Sequence, residues 1–378
     1  MIEMKSHRAI AYINLDFLEE NYHTIKSGLS KGVKILCVVK ADAYGHGMIQ
    51  VAGRLASIGA DYFGVATISE GIRLRHYSIV TPVLVMGGIM PWEDVQQALD
   101  HNLTPAVHDM GMLKKIKEAC DVCGKSINVH LKADTGMGRL GFSLDELPSV
   151  IGEIKDSKYI KVEGIMSHFS SSESRDEYGM EQVRKFVNIL QLFQNNGIET
   201  NLNHMSNSGA VSVYPEAHFD MVRVGINLYG SYSATELKDT FSLKQVMKLI
   251  SRVALIKEFL PGSTLSYGRS YTTEKKNRIA CVPVGYADGY LRALSNKGSV
   301  LIRDRRCKVV GRVCMDWILV DVTDIGDVCT GDEVVLLGKS STDTITADEL
   351  AKLTDTIPYE ILCKISGRVP RIYSGSYE

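Results

Sequence analysis

Short β-branched runs alternate with amphipathic stretches over the first two-thirds of the chain. Eight runs have strand character: KILCVVKAD (34–42), YFGVAT (62–67), PVLVMG (82–87), LTPAVHD (103–109), SINVHLKADTG (126–136), IKVEGIMSHF (160–169), TNLNHMSNS (200–208) and MVRVGINLYG (221–230). Between them lie helical patterns such as GHGMIQVAGRLASIGA (45–60), PWEDVQQALDHN (91–102), DMGMLKKIKEACDVCG (109–124) and YGMEQVRKFVNILQLFQNNGI (178–198). In the last, Val183, Phe186, Val187, Leu190, Leu192 and Phe193 recur at helical spacing, and Asn196-Gly197 is a stop signal. Strand–helix repeated eight times over roughly 230 residues is the size of a (β/α)8 barrel. An open doubly wound sheet would normally carry a Gly-rich turn after its first strand, and AYGHG stands there instead. After about Ser231 the texture changes. Closely spaced strand patterns with Gly, Asn and Asp turns predict a β-rich domain, with one short helix capped by Thr346. The expected architecture is α/β: an N-terminal (β/α)8 barrel over 14–240 and a C-terminal β domain over 241–378, joined by an N-terminal strand within 1–13.

Composition narrows the function classes. Apolar residues make up 45% of 378 and charged residues 23%, enough for a large core. Basic and acidic residues, 43 against 44, nearly cancel, which gives no electrostatic case for nucleic acid or an anionic membrane. No apolar run reaches the ~18–20 residues that span a bilayer. The first residues show no signal-peptide pattern. Eight cysteines are too few for a disulfide scaffold and read as reduced thiols, so the expected location is cytoplasmic.

Barrel chemistry sits at the C-terminal ends of the strands, and polar residues collect there. The first barrel strand ends at Lys40, followed by Asp42, Tyr44 and His46. The fifth ends at Lys132, Asp134 and Arg139, and the sixth at His168. The seventh carries His204, Asn207 and Ser208; the eighth carries Arg223, then Gly225 and Ile226. Lys40 emerges from a buried strand, so desolvation should lower its pKa and make it a candidate Schiff-base amine or proton-transfer base. No metal set is expected. His168 and His204 lack carboxylates at ligand spacing, and Cys120 and Cys123 form a lone CxxC that reads as the end of a surface helix.

The run VVKADAYGHG (38–47) resembles the signature of the alanine racemases, a pyridoxal-phosphate (PLP) family, with Asp42 where the usual form has Asn. HLKADTGMGRLGF, EGIMSHFSSSE, NHMSNSGA, VRVGINLYG, LSYGRSYT, VGYADGY, GRVCMDW and PYEILCKISGRVPR follow in the family's order and cover both proposed domains. The resemblance implies that Lys40 is the PLP lysine. It implies that Tyr44, Ser208, Gly225, Ile226 and Tyr359 hold the phosphate, with Asn207 in the same cofactor set. His168 matches the residue against the pyridine ring, Arg223 the ring-nitrogen partner, and His204 its support. Arg139 matches the donor to the phenolic oxygen and a substrate contact. Lys132 matches a lysine that is carbamylated in many members. Tyr267 matches the catalytic tyrosine. Met315 matches a residue whose backbone amide meets the substrate carboxylate, and Tyr286 a gate residue; in the family these three come from the partner subunit of a head-to-tail homodimer.

The implied reaction interconverts L- and D-alanine with two bases, Lys40 for the D-alanine proton and Tyr267 for the L-alanine proton. The D-alanine would supply peptidoglycan. Serine or broad-specificity racemases are the alternative; serine-preferring relatives typically replace the tyrosine matching Tyr359, which is kept here. Fold-related PLP decarboxylases carry an acidic residue at the ring nitrogen, where this chain has Arg223. PLP-homeostasis proteins are a barrel alone and lack the domain that carries Tyr267.

Overall fold

The computed structural model describes residues 7–375 except 92, 94 and 239. Residues 1–6 of the expected N-terminal strand, 376–378, and two positions of the 91–102 helical pattern lie outside the described residues.

The strands of the first two-thirds are β1 (Ala9–Asn14), β2 (Lys34–Val38), β3 (Tyr62–Val65), β4 (Val83–Val85), β5 (Thr104–Val107), β6 (Ile127–Lys132), β7 (Ile160–Met166) and β8 (Met221–Val224). All but β1 form one parallel sheet in the order β7-β6-β5-β4-β3-β2-β8. Their runs are almost wholly buried, because helices cover the outside and side chains fill the inside. The run expected as a strand over 200–208 is reduced to a short extended link. His204 bridges Met166 in parallel. On its other side, Asp220 N–H donates to Asn203 O at 3.0 Å and Arg223 N–H to Ser206 O at 2.9 Å. This link closes β7 onto β8 and completes the ring.

The helix Glu177–Asn195 starts at an Asp176 cap, and Gly197, just past its end, takes φ +78°. Its buried side includes Val183, Phe186, Ile189 and Phe193. Val187, expected on that side, is exposed, and Ile189 takes its place. Apolar residues are too dense over 186–193 for spacing alone to choose the buried ones. Cys120 and Cys123 lie in the last turn of the helix Met110–Cys123, closed by left-handed Gly124.

The remainder forms a mostly antiparallel sheet containing Met247–Arg252, Leu255–Phe259, Asn277–Val282, Ser299–Ile302, Arg305–Val310, Ile318–Asp321, Glu333–Lys339 and Arg371–Ser374. β1 belongs here. It runs antiparallel to Met247–Arg252 and parallel to Arg371–Ser374. It leads directly into the barrel's first helix, Leu15–Ser27, capped by Asn14. Buried Asn21 on that helix donates to Leu228 O and Lys244 O and accepts from Lys244 N–H. One amide therefore ties the barrel to the chain that leaves it.

Candidate active site

Lys40 follows β2, and the chain then makes a left-handed turn. Ala41, Asp42, Ala43 and Tyr44 all have φ between 50° and 55°. Such a conformation costs L-residues about 1–2 kcal/mol each, so tertiary contacts must hold it. Glu70 accepts from Ala41 N–H at 2.8 Å while also serving the capping box of the helix Ile68–His76. Asp42 Oδ1 accepts from Met48 N–H at 3.0 Å, at the start of the next helix. Asn would supply the same oxygen, so this contact does not require Asp; the charge adds favourable interaction with the helix N-terminus and with Arg73. Buried His46 places Nδ1 3.0 Å from both Ala43 O and Tyr44 O. Burial lowers its pKa to about 4, so the ring is neutral and donates from Nδ1. Gly47 has φ +94°, and a Cβ there would collide with the Tyr373 hydroxyl.

Around Lys40 stand three further cations. Its pKa is lowered first by desolvation and then by Arg139, with a smaller push from Arg223. Lys132, only 6% exposed, is pushed down to about 8 by desolvation, then by Arg223 and Arg139. Both carboxylates that oppose these shifts most directly, Glu70 and Asp134, are committed to backbone amides. Asp134 accepts from the N–H groups of Gly136, Met137, Gly138 and Arg139 at 2.8–3.2 Å. This winds the loop after β6 and presents the exposed Arg139. The result is a concentrated positive charge that calls for an anionic ligand.

Arg223 lies beneath this group, nearly fully buried. It donates to Ser167 O at 2.8 Å, Met205 O at 2.9 Å and His204 O at 3.2 Å. It also donates to His168 Nδ1 at 2.9 Å and His204 Nδ1 at 2.7 Å. Desolvation and the neighbouring Arg223 push His168 down to about 2 and His204 well below its usual value. Both imidazoles are neutral acceptors, and the guanidinium carries the charge.

Beside the cations is a cradle of small groups. Gly225 N–H donates to Ser208 Oγ at 2.9 Å. Asn207 Oδ1 accepts from Ala210 N–H at 3.1 Å and holds the turn that carries Ser208. A Cβ at Gly225 would stand 2.6 Å from the Tyr44 hydroxyl, so only glycine leaves this space open. The Tyr44 ring packs edge-on against Tyr229 and Tyr359, 5.0 and 5.7 Å away between centroids. Tyr359 thus reaches the barrel mouth from the second domain. Ile226 is fully buried at the start of the turn after β8.

Tyr267, Tyr286 and Met315 lie elsewhere, on the exposed surface of the second domain. They are 71%, 42% and 53% exposed. Their loops are stitched together. Ser266 Oγ donates to Arg312 O and accepts from Arg312 N–H. Tyr286 N–H donates to Cys314 O, and Ala287 N–H to Met315 O. Among the described residues no hydrogen bond or ion pair joins Tyr267 to Lys40, Lys132 or Arg139.

Two family models match the chain. One described as "Alanine racemase, N-terminal domain" matches residues 13–233, and "Alanine racemase, C-terminal domain" matches 246–373. The chain belongs to the alanine racemase family. It is 43% identical over 365 residues to an alanine racemase of Carboxydothermus hydrogenoformans, covering 96% of this chain and 98% of that one. It is 41% identical over 363 residues to alanine racemase 2 of Caldanaerobacter subterraneus subsp. tengcongensis, covering 96% and 93%. Its fold matches the solved alanine racemase of Clostridium difficile 630 with a TM-score of 0.92 at 38% identity, covering 98% and 97%. No helix among the described residues is long and apolar enough to cross a membrane.

Sequence reasoning noted Asp134 and His46 in this alanine racemase chain without giving either a role. It missed Glu70 altogether, together with buried His130 and half-buried Glu163. Glu70 had a legible signal in the capping-box spacing Thr67-x-x-Glu70, although its reach to Ala41 had none. His130 sits in the HLKADTG run, but its hydrogen-bond partner His204 lies 74 residues away.

Proposed function

We propose that this alanine racemase family member binds PLP and interconverts L- and D-alanine, supplying D-alanine for peptidoglycan. The observation that carries the reading is the group Lys40, Lys132, Arg139 and Arg223 beside an open cradle at Tyr44, Ser208 and Gly225. PLP brings a phosphate and a phenolic oxygen, the anions such a site lacks. Tyr44, Ser208, Gly225, Ile226 and Tyr359 would hold the phosphate, since phosphate needs several donors at close approach. Tyr44 fits that task. Its hydroxyl opens onto the cradle beside Gly225 with no hydrogen-bond partner among the described residues, and burial of the residue raises its pKa, so it stays a donor. When bound, PLP acidifies the substrate Cα by drawing its electrons into the ring.

The chain's residues do the rest. Lys40, with its lowered pKa, takes or returns the Cα proton on one face, that of D-alanine. Tyr267 serves the opposite face, that of L-alanine. Arg223 would hold the ring nitrogen as a donor that keeps its own proton, which would limit charge build-up on the ring and disfavour protonation at the wrong carbon. Neutral His168 would pack against the ring. Arg139 would donate to the phenolic oxygen and to the substrate.

We further read the active unit as a head-to-tail homodimer in which the partner's second domain supplies Tyr267, the Met315 amide and the Tyr286 gate. The exposed aromatic patch of Tyr267, Tyr286 and Trp317 supports this. A carbamate on Lys132 would place an anion beside Arg139, and a pKa of about 8 leaves the neutral amine such a reaction needs. All eight cysteines are free thiols, which fits a cytoplasmic protein. The test is a substrate panel on PLP-loaded protein with chiral product analysis. Alanine should be racemised in both directions faster than serine or other amino acids. Faster turnover of serine would replace the alanine assignment, and decarboxylation without racemisation would overturn the reaction class.

A further inference from the structure

Arg223 is the end of a buried polar column that runs down the barrel interior. Its Nη1 is 2.7 Å from His204 Nδ1. His204 Nε2 is 2.8 Å from His130 Nδ1. His130 Nε2 lies 3.4 Å from Glu163 Oε2, within ion-pair distance but without hydrogen-bond alignment, and has no hydrogen-bond partner among the described residues. Glu163 Oε2 also lies 2.9 Å from the Tyr62 hydroxyl, itself 3.0 Å from Thr104 Oγ1. Tyr62 and Thr104 begin β3 and β5, so the column passes from the mouth to the opposite end of the barrel. Both histidines are fully buried, whereas the Glu163 side chain is 27% exposed.

The two ends dictate the protons between them. A guanidinium only donates, so His204 Nδ1 must be the lone pair and Nε2 must carry the hydrogen. That hydrogen points at His130 Nδ1, which must accept. His130 then carries its hydrogen on Nε2, where the acceptor at hand among the described residues is the Glu163 carboxylate, 3.4 Å away. The opposite polarity would set an N–H of His204 against an N–H of Arg223 at 2.7 Å. Burial keeps both imidazoles neutral, so the column has one consistent arrangement.

We propose that Glu163, acting through His130 and His204, is a positioning residue for Arg223: it takes up the last hydrogen of a column whose polarity the guanidinium sets, and so anchors the two imidazoles that hold the guanidinium at the cofactor ring nitrogen. The proposal rests on the reading of Arg223 as the ring-nitrogen partner. Distance is the point of the device. A carboxylate in direct contact would neutralise Arg223 and bring negative charge to the ring. Two neutral imidazoles carry the orientation without the charge.

The test uses PLP-loaded enzyme with 15N-labelled histidine. His204 and His130, assigned through His130→Gln, should both be neutral and protonated on Nε2. Protonation of His204 on Nδ1 in the wild type overturns the proposal without any variant at Glu163. Glu163→Leu removes the acceptor. It should leave the His130 Nε2–H without that acceptor, shift the 15N signals of His130 and His204 while His204 stays protonated on Nε2, and lower kcat about tenfold, the scale seen for outer partners of an oriented imidazole. KM for alanine should stay within about twofold, because Glu163 does not touch substrate. Glu163→Gln keeps an acceptor oxygen and should restore the signals and most of kcat. Unchanged signals with a lowered kcat overturn the relay alone. Shifted signals with an unchanged kcat overturn the assignment of Arg223 to the ring, and this proposal with it.

Discussion

The barrel mouth and the Tyr267 face of the second domain are built to opposite specifications. At the mouth, Arg223 and the loops that carry the other cations are each held by several groups. Arg223 has three carbonyls and two imidazoles, Asp134 has four amides, and the strained turn after Lys40 is pinned by Glu70, Asp42 and His46. On the second domain the backbone is equally well stitched, but Tyr267, Tyr286 and Met315 project into solvent. On the reading proposed above, the polar pocket needs a second proton-transfer group, and the exposed aromatic patch needs something to act on. Each region supplies what the other lacks, and one chain does not bring them into contact.

The comparison breaks most sharply at Lys40. Lys40→Ala should reduce racemisation by about 10⁴-fold, the upper range for loss of a proton-transfer group. Borohydride reduction of wild-type PLP enzyme should label Lys40; a label on another lysine would move the mouth's chemistry elsewhere. Mixing Lys40→Ala with Tyr267→Phe then asks whether the two regions meet between chains. Each heterodimer would hold one site with both defects and one with neither, so about a quarter of all sites should regain wild-type composition after full exchange. No recovery in heterodimers demonstrated by mass would place both groups within one chain.

Tyr267→Phe alone should act on one face. Exchange of the Cα proton from L-alanine into deuterated solvent should slow by about 10³-fold, and exchange from D-alanine by much less. The measurement is exchange in the first unracemised substrate, run separately from each enantiomer. Equal suppression would mean a single base serves both directions.

Arg223→Glu sharpens the electrostatic half of the contrast. A carboxylate would raise the ring nitrogen's pKa and let negative charge persist on the ring. Racemisation should slow by about 10²-fold, equivalent to about 2.7 kcal/mol. A long-wavelength absorption band should appear on adding alanine. An unaltered spectrum with PLP bound would show that Arg223 does not face the ring.

These two regions also differ in how far the sequence discloses them. Lys40 and Lys132 stand at or just past the ends of apolar runs, Arg139 follows in the loop after Lys132, and Arg223 interrupts the apolar run of β8, so the strand pattern carries all four to one end of the barrel. The exposed Tyr267 patch was reachable only through motif resemblance, since nothing in local spacing distinguishes an unpartnered tyrosine from a packed one. The left-handed turn was not legible at all. Ala-Asp-Ala-Tyr has no residue that favours positive φ strongly, and the contacts that impose it come from Glu70 and His46. The seventh barrel strand was visible as a run but not as a short link, because its outcome depends on what β7 and β8 leave to be filled. The Arg223–Glu163 column joins β8 to β7 and β6 through side chains, and no window of sequence contains it.

The smallest effect concerns Lys132 and tests whether the mouth, without its ligand, is an electrostatically unfavourable arrangement. Its folded pKa of about 8 lies below the ~10.4 of an unfolded lysine. Between those values the unfolded chain binds more protons, so stability contributed by this residue rises with pH over that window. Below about pH 8 both states are charged and the full cost of confining the cation is present; above about 10.5 it is gone. In CO2-free buffer without PLP, the wild type should therefore gain up to about 2–3 kcal/mol relative to Lys132→Met as pH climbs from 8 to 10.5. Denaturant titrations at intervals of half a pH unit would measure the difference. Bicarbonate at pH 8 should reproduce part of the gain in the wild type alone, because a carbamate removes the same positive charge and gives Arg139 an anion. A wild-type-minus-variant difference that stays flat across the window would mean Lys132 does not sit among uncompensated cations, and the contrast between a charged mouth and an apolar patch would lose one of its four charges.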